Sequence, residues 1–429
     1  MHDQQATKPA ESDREPKSLW RHADFRMLLV GQTASQFGAQ ITQLALPLVA
    51  VIALDIASDE VGLLRAVQQI PFLLFALFVG VWVDRWRRRN VLVIADIGRA
   101  LALAVIPIAF AFDSLGISTL YVVGFLVGVF TVFFDVAYQA YLPRLVDREQ
   151  LAQGNSMLES SRSGAQIGGP ALGGGLVSLL TAPVALAASA FFFALSAVSI
   201  WRIRKPEPTP PPVEKRDGVF RQIREGLVLV ARNASLRTVA ITAGIFNFSF
   251  AAFMTAYLLF LPRELDLSGA AVGLSLAALG PGFLVGALFS AKLPKRFGYG
   301  PVLVVAALLS DGVMLGVAAL HGPGVITVGL LMAINFIFGV FAQTFNVGIM
   351  AIRQAITPDA IQGRVAATIR FIGLGLTPLG SVLGGLLAGQ AGLRTSVLLA
   401  AVGLCLAPVF LIFSPLARLG RELPTVIDH

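Results

Sequence analysis

Apolar stretches of about 20 residues recur along the whole chain, and this recurrence limits the possible folds more than any other feature. Of the 429 residues, 56% are hydrophobic and only 14% are charged. A soluble core could not bury so much apolar surface, so most of the chain is expected to face lipid. The sequence therefore predicts an all-α membrane protein.

Twelve predicted spans begin near Met27, Val61, Val91, Ile117, Leu151, Pro183, Leu236, Val272, Val302, Val325, Ile361 and Ser396. An even number places both termini on one side of the membrane. With that side cytoplasmic, 27 of the 33 lysines and arginines lie in cytoplasmic segments, and only Arg263 and Arg394 lie in outside loops. We therefore predict a multi-pass protein of the cell (inner) membrane with both termini cytoplasmic. The basic surplus is an orientation signal, and no nucleic-acid partner is expected.

An internal repeat indicates two related halves. A shift of 211 residues aligns Val61-Gly62 with Val272-Gly273 and Gly173-Gly174 with Gly384-Gly385. Six spans in each half give two parallel, pseudo-symmetric six-helix halves, with a substrate site expected at their interface. The predicted divisions are a cytoplasmic tail over 1–26, a first half over 27–203, a cytoplasmic linker over 204–235, a second half over 236–416 and a cytoplasmic tail over 417–429.

The linker contains two different segments. Residues 204–218 are proline-rich and charged, which predicts a solvated connection. Residues 219–232 place apolar side chains at helical spacing beside basic ones, which predicts an amphipathic helix on the cytoplasmic surface. An extension of the seventh span explains the second pattern equally well.

Two short motifs resemble those of a known family. Residues 80–89 (GVWVDRWRRR) resemble the loop signature of the major facilitator superfamily, and residues 169–174 (GPALGG) resemble a motif of its antiporters. Residues 19–48 resemble the drug:proton antiporter branch that includes macrolide and enterobactin exporters. The resemblance covers the whole chain. It implies the major facilitator fold and a proton-coupled exporter of small amphipathic compounds, of the drug, macrolide or siderophore class, working by alternating access.

Other functions on the same scaffold stay open, namely an importer, a lipid flippase or a membrane sensor that does not transport. The sequence has one cysteine and no catalytic triad, metal cluster or phosphate loop, so neither an enzyme, a metal nor a cofactor is expected. The expected partners are a small-molecule substrate, protons and the lipid bilayer, and we expect a monomer.

The loop signature implies a gate formed by Gly80, Asp84, Arg85 and Arg88. A carboxylate at a helix end, followed by arginines, can change partners as two halves rock. In the alternative, the arginines only anchor the loop. Close packing of small residues in lipid explains the second motif, Gly169, Pro170, Gly173 and Gly174, as well as a gating role does.

Polar residues within spans face a cavity or one another, because lipid cannot satisfy them. In the first span, Gln32, Gln36, Gln40 and Gln43 share one helical face. Spans one, four, seven and ten line the cavity in the superfamily that the chain resembles. The resemblance therefore extends the expected cavity lining to Asn247, Asn335, Gln343 and Asn346. Bonding between helices is the alternative. Four phenylalanines would add an apolar wall suited to an amphipathic substrate: Phe246, Phe250, Phe253 and Phe345.

Charged residues within the spans predict a buried network of Asp96, Arg99, Arg162, Asp311 and Arg370. Asp96 with Arg99, and Glu159 with Arg162, are spaced to pair within one helical turn. Asp311 and Arg370 are expected to balance each other in the second half.

One carboxylate of the first half remains without a partner, and a lone carboxyl group in the membrane tends to carry a proton. Asp135 is the first candidate for the proton-coupling site, because it lies on a cavity helix and its repeat mate is the neutral Asn346. Glu159 is the second candidate. A purely structural ion network is the alternative.

Overall fold

The computed structural model describes residues 19–147, 150–207, 219–290, 292–357 and 362–422, and most of these residues are helical. The α-helices in these ranges are α1 Ala23–Leu48, α2 Ser58–Arg85, α3 Arg88–Ala111, α4 Ile117–Leu145, α5 Leu151–Leu179, α6 Ala182–Trp201, α7 Val219–Arg232, α8 Ala234–Arg263, α9 Gly269–Ala277, α10 Leu279–Ser290, α11 Leu293–Phe297, α12 Tyr299–Val313, α13 Val325–Ile356, α14 Gln362–Gly375, α15 Thr377–Gln390 and α16 Leu393–Ile412.

Ten helical segments in these ranges are long and apolar enough to cross a membrane, which confirms the prediction of an all-helical integral membrane protein. Helices α2 and α5 are not among the ten, although they have 28 and 29 residues. The glycine and polar residues of α5 lower its hydropathy.

Two of the long helices are interrupted next to prolines. Pro281 cannot donate a backbone hydrogen bond to Ala277, and the path breaks at Ala278, between α9 and α10. Pro378 likewise leaves the carbonyl of Leu374 without its usual donor. The hydroxyl of Thr377 donates to that carbonyl over 2.6 Å, so the break between α14 and α15 keeps its polar groups satisfied.

The helices pack into two groups. In the first, α1 lies against α5 and α6, α3 lies against α4 and α6, and α2 lies against α4. In the second, α8 lies against α15 and α16, and α13 lies against α10 and α12. The groups meet where α2 contacts α15 and where α5 contacts α9.

Glycines form the closest approaches between the two groups. A Cβ atom added to Gly62 of α2 would lie 2.8 Å from the Cα of Gly385 in α15. A Cβ atom added to Gly174 of α5 would lie 2.7 Å from the Cα of Gly273 in α9. Both distances are shorter than carbon atoms tolerate, so only glycine lets the backbones approach this closely.

The apolar cores follow the same division. At the end of the bundle away from both termini, one continuous core combines side chains of both groups, including Leu186 and Tyr257. At the end near the termini the cores are separate, one in the first group and one in the second. The groups are therefore joined at the far end and packed separately at the near end.

Helix α7 is a separate element from α8. Asn233 lies between them in an extended conformation, and its side chain accepts a hydrogen bond of 3.0 Å from the backbone N–H of Leu236. This is an N-cap, which starts α8 anew. Helix α7 packs on α14 and α8. Within the predicted linker, residues 208–218 lie outside the described ranges.

Candidate functional site

Two adjoining cavities lie between the groups of helices. The larger, of about 630 Å³, is lined by α5 on one side and by α8, α10, α12 and α13 on the other. The smaller, of about 620 Å³, is lined mainly by α1, α2 and α4 together with α8. Asn247 and Phe250 of α8 line both cavities, so the two form one region at the centre of the bundle.

Five of the eight predicted polar lining residues face this region. Gln40 and Gln43 line the smaller cavity, Gln343 and Asn346 line the larger, and Asn247 lines both.

The other three residues do not line either cavity, and the prediction was wrong for Gln32 and Asn335, which are buried in helix packing. The amide of Asn335 donates to the hydroxyl of Tyr257 over 2.9 Å and to the carbonyl of Leu331. Gln36 is half-buried. A shared helical face fixes the direction of a side chain but not its depth, and the cavity extends along only part of α1.

Aromatic rings form part of the wall. Phe246 and Phe250 stack with ring centroids 5.4 Å apart, and Phe250 stacks on Phe338 at 5.5 Å. Phe345 lines the larger cavity as predicted, whereas Phe253 is buried in the shared core. The region therefore combines apolar ring faces with amide groups.

Asp96 and Arg99 form a buried ion pair inside the first group. Ser196 of α6 donates to the Asp96 carboxylate over 2.5 Å, and Arg99 donates to the hydroxyl of Ser35 in α1 over 3.1 Å. The Arg99 guanidinium also lies 4.3 Å from the ring centroid of Phe134. This pair therefore ties α1, α3, α4 and α6 together and makes its contacts within the first group of helices.

Glu159 and Arg162 also pair, at 3.7 Å, but with side chains 67% and 54% exposed they are not buried. Both line the larger cavity, so placing Arg162 in a buried network was wrong. Asp135 lines the smaller cavity and makes no hydrogen bond or ion pair with any described residue.

Asp311 and Arg370 do not balance each other. Asp311 is buried beside the larger cavity, and within the described ranges its carboxylate accepts a hydrogen bond only from Ser310, at 3.1 Å. The side chain of Arg370 is exposed, and its guanidinium lies 5.4 Å from the ring centroid of Phe72 in the other group. Residues of opposite charge in one group of helices can still point to different surroundings, which the sequence does not reveal.

The predicted gate lies at the junction of α2 and α3. For Gly80, Asp84 and Arg85 the structure gives the helix but not the surroundings, so this part of the prediction lies outside the described side chains. The Arg88 guanidinium lies 3.7 Å from the carboxylate of Glu207. That carboxylate also accepts hydrogen bonds from the backbone N–H groups of Arg88 and Arg89, at 3.0 and 3.2 Å, and so caps α3.

The first residues of the predicted solvated linker are bound to the first group, contrary to the prediction. The carboxylate of Asp24 accepts hydrogen bonds of 3.0 Å from the backbone N–H groups of Arg204 and Lys205. The Lys205 ammonium donates to the carbonyl of Leu145 over 2.9 Å. Composition indicated solvent exposure, but charge partners elsewhere in the chain hold this segment in place.

The glycine-rich motif of α5 packs on both groups of helices. A Cβ atom at Gly169 would collide with the side chain of Gln40 in α1, and one at Gly173 would lie 3.3 Å from the Cα of Ile41. Gly174 faces α9, and Pro170 lines the smaller cavity. The motif thus lies where α5 contacts α1, α9 and the cavity.

Sequence reasoning gave no role to two residues that the structure places at important positions. Arg65 of α2 lines the smaller cavity. Its location within a span could have indicated a functional position, because charges in lipid are costly. Glu207 binds the start of α3 and lies 3.7 Å from Arg144 at the end of α4. No spacing pattern links Glu207 to residues 88 and 144, so its partners could not be read from the sequence.

The sequence matches the Major Facilitator Superfamily over residues 28–337. It is 26% identical over 408 residues to the multidrug efflux pump Tap of Mycolicibacterium fortuitum, covering 91% of this chain and 96% of that one. It is 24% identical over 413 residues to macrolide efflux protein A of Streptococcus pyogenes, covering 93% and 98%.

Among solved structures, a bacterial homologue of the iron transporter ferroportin in an inward-facing state superimposes with a TM-score of 0.74. The match covers 91% of this chain and 98% of that one, at 16% sequence identity. At this identity the likeness concerns the fold alone.

Proposed function

The chain belongs to the Major Facilitator Superfamily of membrane transporters, and it is a transporter rather than an enzyme. We propose that it exports small amphipathic compounds in exchange for protons. The observation that carries this proposal is the central region between the two groups of helices, where stacked aromatic rings lie beside amide side chains. The relatives named as a multidrug efflux pump and a macrolide efflux protein support the direction and the class of cargo.

We propose that α2 and α5 complete twelve spans, arranged as two parallel six-helix halves. The glycine contacts between the groups support this arrangement. A shift of 211 residues converts Gly62 into Gly273 and Gly174 into Gly385. The contact of Gly62 with Gly385 therefore becomes that of Gly273 with Gly174, as a two-fold axis between the halves requires.

We place both termini in the cytoplasm of a cell (inner) membrane protein, because that orientation puts 27 of the 33 lysines and arginines inside. The end where the halves share one core is then external, and the end where their cores are separate is cytoplasmic. The described conformation is thus inward-facing, and rocking of the halves would open the external contacts. One chain encloses the whole cavity, which supports a functional monomer.

The lining supports an amphipathic cargo. Stacked rings such as Phe246 and Phe250 offer apolar faces, and Asn247, Gln343 and Asn346 offer hydrogen bonds that orient a substrate. These amides carry no charge, so this part of the wall can bind cargo of varied shape.

Asp135 is the carboxylate that we assign to proton coupling. It lines the cavity and has no ion-pair partner among the described residues. Asp96 is satisfied by Arg99 and Glu159 pairs with Arg162, so each of these would lose a partner on protonation. Protonation of Asp135 breaks no contact and changes the charge of the cavity directly.

The test uses purified protein in liposomes with erythromycin and rhodamine 123 as cargo. Asp135→Asn mimics the protonated form, so accumulation driven by a pH difference should disappear while exchange of cargo for cargo persists. Glu159→Gln is the matched control and should retain pH-driven transport. If Asp135→Asn retains it, Asp135 is not the coupling site. If both variants retain pH-driven transport, the buried Asp311 becomes the candidate. Wild-type protein that moves neither cargo, or only inward, refutes the export proposal.

A further inference from the structure

Arg65 lies in the wall of the smaller cavity, seven residues after the start of α2. Its Nε atom is buried without a hydrogen-bond partner. The guanidinium makes no ion pair or hydrogen bond with any residue in the described ranges. An arginine inside a membrane protein normally finds an anionic or carbonyl partner, because an unpaired charge there is costly.

A second donor lies beside it. Gln68 follows one helical turn along α2, lines the same cavity, and its amide nitrogen is also buried without a partner. Positions three residues apart share one face of a helix, so both donors point to the same side of α2. Together they present two buried N–H groups that have no acceptor in the part of the protein that the structure describes. We name Arg65 and Gln68 the acceptor subsite.

The rest of the wall defines what can bind. Beside the two donors, the smaller cavity is lined by the carboxyl group of Asp135, by amides such as Gln40, and by apolar side chains that include Phe72, Phe193 and Leu279. Protonation of Asp135, as proposed above, removes the negative charge that would oppose an anion here. A ligand that satisfies this environment has an oxyanion at one end and an apolar body. The guanidinium fork matches a carboxylate in two parallel hydrogen bonds, which gives geometric selection as well as attraction.

We infer that the acceptor subsite binds the carboxylate of an amphipathic acid, and that such acids are the preferred cargo within the export function proposed above. This inference rests on that proposed function for its biological meaning but not for the binding itself. Its position supports a role in release. Gly62, which contacts Gly385, is three residues from Arg65, so opening of the external contact would expose the bound carboxylate.

The experiment compares acids with their methyl esters, because the ester keeps the apolar body and removes the charge. The probes are rhodamine 110 with its methyl ester rhodamine 123, and 1-pyrenebutyrate with its methyl ester. Binding to the purified full-length protein is measured by equilibrium dialysis in detergent. For the wild type, the Kd of each acid should be about tenfold or more below that of its ester, as expected for hydrogen bonds to a charged group.

Arg65→Gln should remove the preference for acids while leaving ester binding unchanged, and Arg65→Lys should retain part of it. Arg296→Gln is the charge-matched control, since the side chain of Arg296 is exposed and does not line the smaller cavity. If Arg65→Gln does not fold, Gln68→Met provides the second variant and should weaken acid binding several-fold.

A wild type that binds both acids no better than their esters overturns the inference, and so does an unchanged preference in Arg65→Gln or in Gln68→Met. The proposed export function fails separately. Acid binding that depends on Arg65, without outward transport in liposomes, would refute export and leave the subsite intact. Transport of esters with no preference for acids would refute the subsite and leave export intact.

Discussion

The contact between α5 and α9 offers a direct test of rocking. One added carbon atom should prevent the end of the bundle that we propose to be external from closing. In Gly174→Ala the new Cβ would lie 2.7 Å from the Cα of Gly273 and closer still to the carbonyl oxygen of Gly269. Both neighbours are backbone atoms, so no side-chain rotation relieves the overlap. The next residue, Gly175, has no atom within 4 Å of its added Cβ and provides a matched control on the same helix.

The size of the effect follows from the geometry. Carbon atoms pack at about 3.5 Å or more, so α5 and α9 must separate by roughly 1 Å. Overpacking of this kind costs about 1–3 kcal/mol. Alanine also gains about 1 kcal/mol of helix propensity over glycine, but this gain is the same in both conformers and cancels from their ratio. A clash confined to the closed external end therefore shifts the equilibrium towards the outward-facing conformer by about 5-fold to 150-fold.

Labelling of a cysteine at the contact measures this shift. Val177 lies one turn from Gly174 with its side chain 8% exposed, and it faces Gly269 across the contact. In a Cys405→Ser background, Val177→Cys should react slowly with a membrane-impermeant maleimide added outside. Addition of Gly174→Ala should raise the labelling rate at least fivefold, whereas Gly175→Ala should leave it unchanged.

Two results would refute the reasoning. A labelling rate raised equally in the Gly174→Ala and Gly175→Ala proteins would mean that general loosening of α5, rather than the clash, controls access. No change in either protein would mean that the α5 contact does not separate. By the proposed two-fold relation, Gly385→Ala should act like Gly174→Ala, because its Cβ would lie 2.8 Å from the Cα of Gly62.

The remaining predictions concern charged groups. Glu207→Gln weakens the charged cap of α3 and should lower stability by about 1–3 kcal/mol, seen as a lower melting temperature in detergent; an unchanged melting temperature would show that the cap is replaced by water. Asp96→Asn leaves Arg99 buried without its counter-charge and should destabilise by about 3–5 kcal/mol, with reduced yield of folded protein, and normal yield and melting would contradict the structural role. Asp84→Asn should leave folding intact but slow transport by favouring one conformer, with Lys295→Gln, at the corresponding position of the second half, having less effect; wild-type rates in both would make the loop only an anchor.

The helices themselves were predictable from hydropathy, because lipid demands long apolar segments that satisfy their own backbones. Each predicted span begins within four residues of an observed helix start, as in Ile117, Leu151 and Val325, where the two coincide. The local charge pair of Asp96 and Arg99 was predictable from helix geometry. A spacing of three residues places the two side chains about one helical turn apart, close enough to pair.

Depth and long-range partners were not predictable from periodicity. Gln32 and Gln43 share a face of α1, yet one is buried in packing and the other lines the cavity. Glu207 binds residues more than fifty positions away, which no local pattern encodes. Arg65 was visible as a charge within a span, but its lack of a partner depends on the packing of α2 against its neighbours.

The contacts within and between the halves differ in kind, and this difference suits a transporter. Inside the first half, the Arg99 guanidinium lies between the rings of Phe134 and Phe193, 4.3 Å from each centroid. Such interlocked side chains resist separation, because every neighbour must repack. The closest approach of α2 and α15 instead joins bare backbone at Gly62 and Gly385. Backbone surfaces of this kind can part and rejoin without rotamer changes, so rocking of rigid halves would open this contact first. The acceptor subsite lies one helical turn further along α2, so that opening would bring a bound carboxylate into contact with the external water.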